Sequence, residues 1–220
     1  MLTRPAFSVH IDADGTDDVR DPGFYFAKIP TGRVDQVAEL EQLGFSVVDV
    51  NQTFEHTGTP LTETTTEVQI RPHEPGDHDA VLHMAETSFV FSRFHLDPSI
   101  ENEVANHIKR EWVGNYLRGV RGDRLTVALL DGQPAGFLAE LSTEHEGQPV
   151  RVIDLIAVDP GFQRRGVGRA LTANFVTSHP DQGDRLRVGT QVANTPSLRL
   201  YTSLGFQPIQ STYVLHAHIA

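Results

Sequence analysis

The chain has 220 residues, 39% hydrophobic and 21% charged, with a formal net charge of −11. That is long enough for a sizeable core, and the acidic balance argues against general affinity for nucleic acid or anionic membrane surfaces. The sequence has no cysteine, which excludes disulfides, thiolate metal sites and a covalent cysteine mechanism and fits a cytoplasmic setting.

Residues 1–23 are rich in Asp, Gly and Pro, with a short apolar patch from Phe7 to Ile11. Met1 to Pro5 lacks the apolar core of a signal peptide, and no apolar run is long enough to span a bilayer. Phe24 to Ile29 reads as a strand. From Val34, apolar residues at Val34, Val37, Ala38 and Leu43 follow a helical period, and Gly44 is the expected cap. Phe45 to Val50 is a second strand, so residues 1–60 form a small N-terminal α/β unit. The polar, Thr-rich stretch from His56 to Glu67 contains the connector, 61–67, and the main domain is expected over 68–220.

Val68 to Pro72 is a strand, and Gly76-Asp77 leads into a helix with Ala80, Val81, Met84 and Ala85 on its apolar face. Ser88 to Pro98 is irregular and aromatic. A helix is predicted from about Pro98 to Leu117, with Ser99 as N-cap and Ile100, Val104, Ile108, Trp112 and Tyr116 recurring every four residues. Leu125–Leu130 and Gly136–Leu141 flank Asp131-Gly132 as a β-hairpin. An apolar, β-branched strand from Val150 to Val158 ends at Pro160-Gly161 and is followed by Gln163-Arg164-Arg165-Gly166-Val167-Gly168-Arg169, where a helix opens. Leu186 to Gln191 is the next strand. Thr195-Pro196 starts a helix, with Thr195 as its cap, that ends at Gly205, and Ser211 to His216 is the last strand. Pairs such as His78/His83 and His216/His218 lack further ligands at metal-site spacing, so no metal is expected.

The glycine-rich turn carries the chemistry. A helix N-terminus presents unpaired N–H groups and partial positive charge, Gly166 and Gly168 let an anion approach the main chain, and Arg164, Arg165 and Arg169 supply cations. The stretch is therefore read as a diphosphate cradle. It lacks the third glycine of a dinucleotide fingerprint, where Leu171 stands, and the Lys-Ser/Thr of a Walker A loop.

Gln163 to Gly168 resembles motif A of the GNAT acetyltransferases, Gln/Arg-x-x-Gly-x-Gly/Ala. Asn194 to Phe206 resembles their motif B, Asn-x-x-Ala-x-x-Leu-Tyr-x-x-x-Gly-Phe, with Ser197 in place of the alanine. The resemblance covers residues 68–220. It implies an α/β (α+β) fold with a mixed central sheet flanked by helices, acetyl-CoA as cosubstrate, and direct transfer of acetyl to an amine. By the same likeness Ile156, Ala157 and Val158 pair with the pantetheine arm, Gln163, Arg164, Arg165, Gly166, Val167, Gly168 and Arg169 hold the diphosphate, and Asn194 holds the pantetheine from the other side. Tyr201 is the implied general acid. Asp154 and Glu140 are the two carboxylates expected near the centre, either of which could be the base.

A looser resemblance, carried by Phe91 to His95, Val188 to Asn194, Ala27 to Pro30 and Leu43-Gly44-Phe45, is to the dTDP-fucosamine acetyltransferase group. It implies a nucleotide-linked amino sugar as the small-molecule acceptor, with Arg93 and His95 meeting it. Leu43-Gly44-Phe45 also echoes Leu204-Gly205-Phe206, as a degenerate half-copy of the fold would. Acetylation of a protein N-terminus, a polyamine or an antibiotic amine, non-catalytic acyl-CoA sensing, and homodimerisation all remain compatible with the sequence.

Overall fold

The computed structural model describes residues 6–9, 11–12, 15–16, 21–56, 61, 67–179 and 185–220. Most of the Thr-rich stretch, 57–60 and 62–66, lies outside them. The elements are β1 (Ala6–Ser8), β2 (Ile11–Asp12), β3 (Gly15–Thr16), β4 (Gly23–Pro30), α1 (Val34–Gln42), β5 (Ser46–His56), β6 (Gln69–Pro72), α2 (His78–Thr87), α3 (Arg93–Leu96), α4 (Asn102–Leu117), β7 (Arg124–Leu130), β8 (Gln133–His145), β9 (Gln148–Val158), α5 (Val167–Thr177), β10 (Arg185–Gln191), α6 (Thr195–Ser203) and β11 (Phe206–Ile219). Nine strands form one mixed sheet in the order β1-β4-β11-β5-β10-β9-β8-β7-β6. Among the described residues, only β1–β4 and β9–β10 pair in parallel. The N-terminal strands lie in the same sheet as the rest, with β5 seated between β11 and β10.

Helices cover both faces. Leu171, Phe175, Tyr201 and Leu204 of α5, α6 and the turn after α6 pack on Ile153, Val188 and Phe54. On the other face Val81, Met84, Val113 and Tyr116 of α2 and α4 pack on Val127, Phe137, Leu155 and Ala157. α1 buries Val37 and Leu40 against Tyr25, Ala27 and Leu215. The opposite side of β4, through Phe24, meets Phe94 and Ala105. Each sheet face is thus apolar, as a doubly covered sheet requires.

Several details differ from the sequence reading. The helix expected at Pro98 begins at Asn102; Ser99 gives its backbone N–H to Asp97 Oδ1 (2.8 Å) and does not cap the helix. Its fully buried stripe is Ala105, Lys109, Val113 and Tyr116, about a quarter-turn round from the expected one. α6 is capped by Asn194, whose Oδ1 accepts from the Ser197 N–H, while Thr195 is already helical. The aromatic stretch after Ser88 contains the single turn α3. Asp131 (φ 54°) and Gly132 (φ 74°) form the expected hairpin turn.

Candidate active site

The site is made by a defect in the sheet. β9 and β10 pair from Arg185↔Val150 to Val188↔Ile153, and the recorded register ends there, although β9 runs on to Val158 and β10 to Gln191. At that point β9 carries an extra residue: Leu155 faces Ala139 and Ile153 faces Glu140, which leaves Asp154 unmatched. Such a bulge breaks the in–out alternation and bends the strand. Accordingly Ile153 packs on the α5 side, whereas Asp154 and Leu155 both turn towards α4. Between the diverging strand ends lies a cavity of about 580 Å3. It takes Lys109 and Ser88 to Ser92 from one face of the sheet, and Gly166 to Arg169 and Tyr201 from the other, so it passes through the sheet.

The α5 end of the cavity is built as an anion seat. Gly166 occupies the N-cap position at φ 84°, and Arg164 adopts φ 61°. Left-handed backbone is readily adopted only by glycine, so the turn demands Gly166 and holds Arg164 under strain. The first intrahelical acceptor is the Gly166 carbonyl, taken by the Ala170 N–H at 2.9 Å. The N–H groups of Val167, Gly168 and Arg169 therefore have no acceptor in the preceding helical turn. Gly136 lets β8 pass beneath: a Cβ there would stand 2.9 Å from Ala157 O and from Val167 Cγ1.

Most of the predicted cofactor residues are brought together. Ile156, Ala157, Val158, Gln163, Arg164, Gly166, Val167, Gly168, Arg169, Asn194 and Tyr201 all line the cavity. Arg165 does not; it is paired with Asp131 at 2.8 Å. Tyr201 is 2% exposed, and burial raises its phenol pKa, with a Ser197 hydrogen bond acting in the opposite direction. Its proton is retained throughout the neutral range, and the residue lines the cavity.

The two carboxylates separate. Glu140 is buried on the α5 side of the sheet, clamped by Arg124 and by His179 Nε2 (3.0 Å), and lines a different depression. It stands opposite Ile153 and is not among the residues that line the cavity. Asp154 lines the cavity but is fully engaged. Its Oδ2 accepts from Tyr116 OH (2.7 Å), Arg121 Nε (2.8 Å) and Trp112 Nε1 (2.9 Å), and its Oδ1 from Arg121 Nη2 (3.1 Å). Four donors leave it little lone-pair capacity for another proton.

The expected acceptor residues lie behind the cavity wall rather than on it. His95 is held between Ser92 Oγ (2.6 Å) and Asn106 Oδ1 (2.9 Å). The Arg93 guanidinium rests over Phe26 (4.1 Å) and Phe94 (4.7 Å), and burial draws its pKa down to about 10. Their neighbours Phe91 and Ser92 do line the cavity. Beside Arg93, Asp49 of β5 is pushed up to about 6 by burial, opposed by a hydrogen bond from Gln191, itself a lining residue. His216 Nδ1 (2.7 Å) and His218 Nε2 (2.9 Å) share Asp97 Oδ2, a partner from a distant part of the sequence.

Sequence reasoning missed Lys109. It is 7% exposed, lies in the buried stripe of α4, and reaches the cavity wall. A lysine inside an apolar helical stripe is the available signal. It was obscured because the alternative stripe, Val104, Ile108 and Trp112, is also apolar and half-buried.

The acetyltransferase (GNAT) family model matches residues 82–206. The chain belongs to this family. It has the fold of that family. It is 37% identical over 149 residues to the spore coat polysaccharide biosynthesis protein SpsD of Bacillus subtilis (strain 168), covering 67% of this chain and 50% of that one. To the mycothiol acetyltransferase of Acidothermus cellulolyticus it is 28% identical over 150 residues, 64% of this chain and 45% of the relative. The chain thus spans about half the length of these two relatives. Among solved structures, a functionally unknown conserved protein from Staphylococcus epidermidis superposes with a TM-score of 0.64 at 17% identity, covering 90% of this chain and 73% of that one. A GCN5-related N-acetyltransferase from Sphaerobacter thermophilus gives 0.58 at 15% identity, covering 90% and 61%. No helix among the described residues is long and apolar enough to cross a membrane.

Proposed function

We propose that this chain transfers acetyl from acetyl-CoA directly to a primary amine of a small molecule, and that the acceptor is a nucleotide-linked amino sugar. The observation that carries the first part is one continuous cavity, with the glycine turn of α5 at one end, Tyr201 at its wall and the diverging ends of β9 and β10 between them. The residues fit the cosubstrate. Gly166, Val167, Gly168 and Arg169, with Arg164, offer amides and guanidinium to a diphosphate. The freed edge of β9 at Ile156 to Val158 offers main-chain partners to an amide-bearing pantetheine arm, and Asn194 closes the other side. When bound, acetyl-CoA supplies the activated acyl group. The chain positions it, keeps bulk water from the inner end, and holds a phenol proton at Tyr201 for the departing thiolate.

Support for the sugar comes from similarity to SpsD, a protein named for polysaccharide biosynthesis, and from the polar groups behind the acceptor side. Arg93, Asp49 and Lys28 all lie there, the last with its pKa lowered by burial and by Arg93. β5 contributes Asp49 to this end, so residues 1–60 are proposed to take part in acceptor binding alongside the catalytic 68–220. The test is CoA release from acetyl-CoA with dTDP-4-amino-4,6-dideoxy sugars beside spermidine, a peptide N-terminus and an aminoglycoside. Turnover confined to the sugar nucleotides is the expected result. Faster turnover of another amine replaces the acceptor, and acetyl-CoA binding with no turnover of any amine defeats the enzymatic reading.

A further inference from the structure

The cavity contains few groups able to take a proton from the incoming ammonium. Of its titratable lining residues, Arg164 and Arg169 are permanent cations, Tyr201 retains its own proton, and Asp154 is occupied by Trp112, Tyr116 and Arg121. Glu140 lines a separate depression, held by Arg124 and His179. Lys109 remains. It projects from the buried stripe of α4, is 7% exposed, and lies over the ring faces of Trp112 (4.6 Å) and Phe89 (4.9 Å). No carboxylate among the described residues is within ion-pair distance of its Nζ.

We infer that Lys109 is the general base of the acetyl transfer, receiving the ammonium proton of the acceptor. This rests on the acetyltransferase reading above and adds the proton acceptor it lacks. Neutral Lys109 Nζ takes one proton from R–NH3+, giving R–NH2 and Lys109–NH3+. The amine lone pair forms the C–N bond at the thioester carbonyl, and the C–S bond breaks with its electron pair on sulfur. The Tyr201 phenol protonates that thiolate, and the remaining excess proton on nitrogen restores the phenol. Lys109 then loses its proton to solvent, so the net products are amide, CoA thiol and one proton. The charged and titratable groups facing Lys109 are His95 of α3, whose own pKa Lys109 helps to lower, Asp154 from β9, which favours its protonated form, and Arg93 from α3, which disfavours it. Burial outweighs both and brings the lysine down to about 8, within reach of an amine acceptor.

The experiment compares wild type, K109R and K109Q for kcat and KM with the acceptor that turns over, from pH 6.5 to 10, alongside acetyl-CoA affinity. Arginine keeps the cation over the rings but cannot act as a base. Both variants should lose roughly 100-fold or more in kcat near pH 7. Acetyl-CoA affinity should stay within about twofold of wild type, and the deficit should shrink above about pH 9, where the acceptor is already neutral. K109R with wild-type kcat overturns the proposal and makes Lys109 a counter-ion. A uniform loss at every pH that accompanies lost acetyl-CoA binding overturns it in favour of a structural role. Wild-type protein that turns over no amine removes the enzymatic reading and this role together, whereas an active K109R beside an active wild type removes the role alone.

Discussion

Asp154 distinguishes an anchor from a base, and the two readings predict different stabilities. Asp154→Ala would leave the Tyr116 hydroxyl and Trp112 indole N–H facing an empty site on α4, and Arg121 without its carboxylate. Hydrogen bonds to an ionised group contribute about 1.5–3 kcal/mol each. Arg121 is 38% exposed, so its pairing is discounted to a few tenths of a kcal/mol. Two engaged donors give about 3–6 kcal/mol, and removing one partner of a buried charged pair costs about 3–5 kcal/mol, which is the loss expected here. For a protein of this length, each kcal/mol lowers Tm by about 2–4 °C, so the expected loss is on the order of 6–20 °C. Asp154→Asn keeps an acceptor oxygen in place and should cost about a third as much, roughly 1–2 kcal/mol. The assay is thermal and urea unfolding of both variants, with acetyl-CoA affinity measured on the folded protein. An Asp154→Ala protein that melts within about 1 °C of wild type, with turnover abolished, would refute the anchoring argument and return Asp154 to the role of base.

Tyr201→Phe should lower kcat by about 10²-fold or more while leaving acetyl-CoA affinity nearly unchanged, because the ring stays and only the hydroxyl is removed; stopped-flow CoA release and isothermal titration separate the two. Gly166→Ala forces a Cβ onto a φ of 84° and should cost about 1–2 kcal/mol at the cradle, seen as weaker acetyl-CoA binding; an unchanged Kd would dismiss the cradle assignment. Asp49→Asn should stabilise the protein at neutral pH. The folded carboxyl titrates near 6 against an ordinary 3.8, so its ionised form is penalised fully above pH 6 and not at all below about 3.8. The gain in Tm over wild type should therefore be present at pH 7.5 and vanish at pH 3.5, and a gain that is equal at both would exclude burial of the charge as its cause.

The sequence by itself determined the local chemistry. A β-branched run, a Pro-Gly turn and Gly166 before a helix force a strand–turn–helix with amides at its mouth, whatever surrounds it. The helix-ending glycines, the Asp131-Gly132 hairpin and the Asn194 to Phe206 motif are equally local, since each depends on backbone φ or on contacts a few residues apart. Tertiary structure decided which side each strand residue faces. A single bulge residue in β9 separates Asp154 from Glu140, which alternation along single strands could not foresee. It also decided partners distant in sequence: Trp112, Tyr116 and Arg121 on Asp154, and Asp97 beneath His216 and His218. Both of α4's stripes were apolar enough to be the buried one, and only packing against β8 and β9 chose the one that carries Lys109 to the cavity. Periodicity records how a segment repeats; the rotation of that segment is fixed by what it packs against.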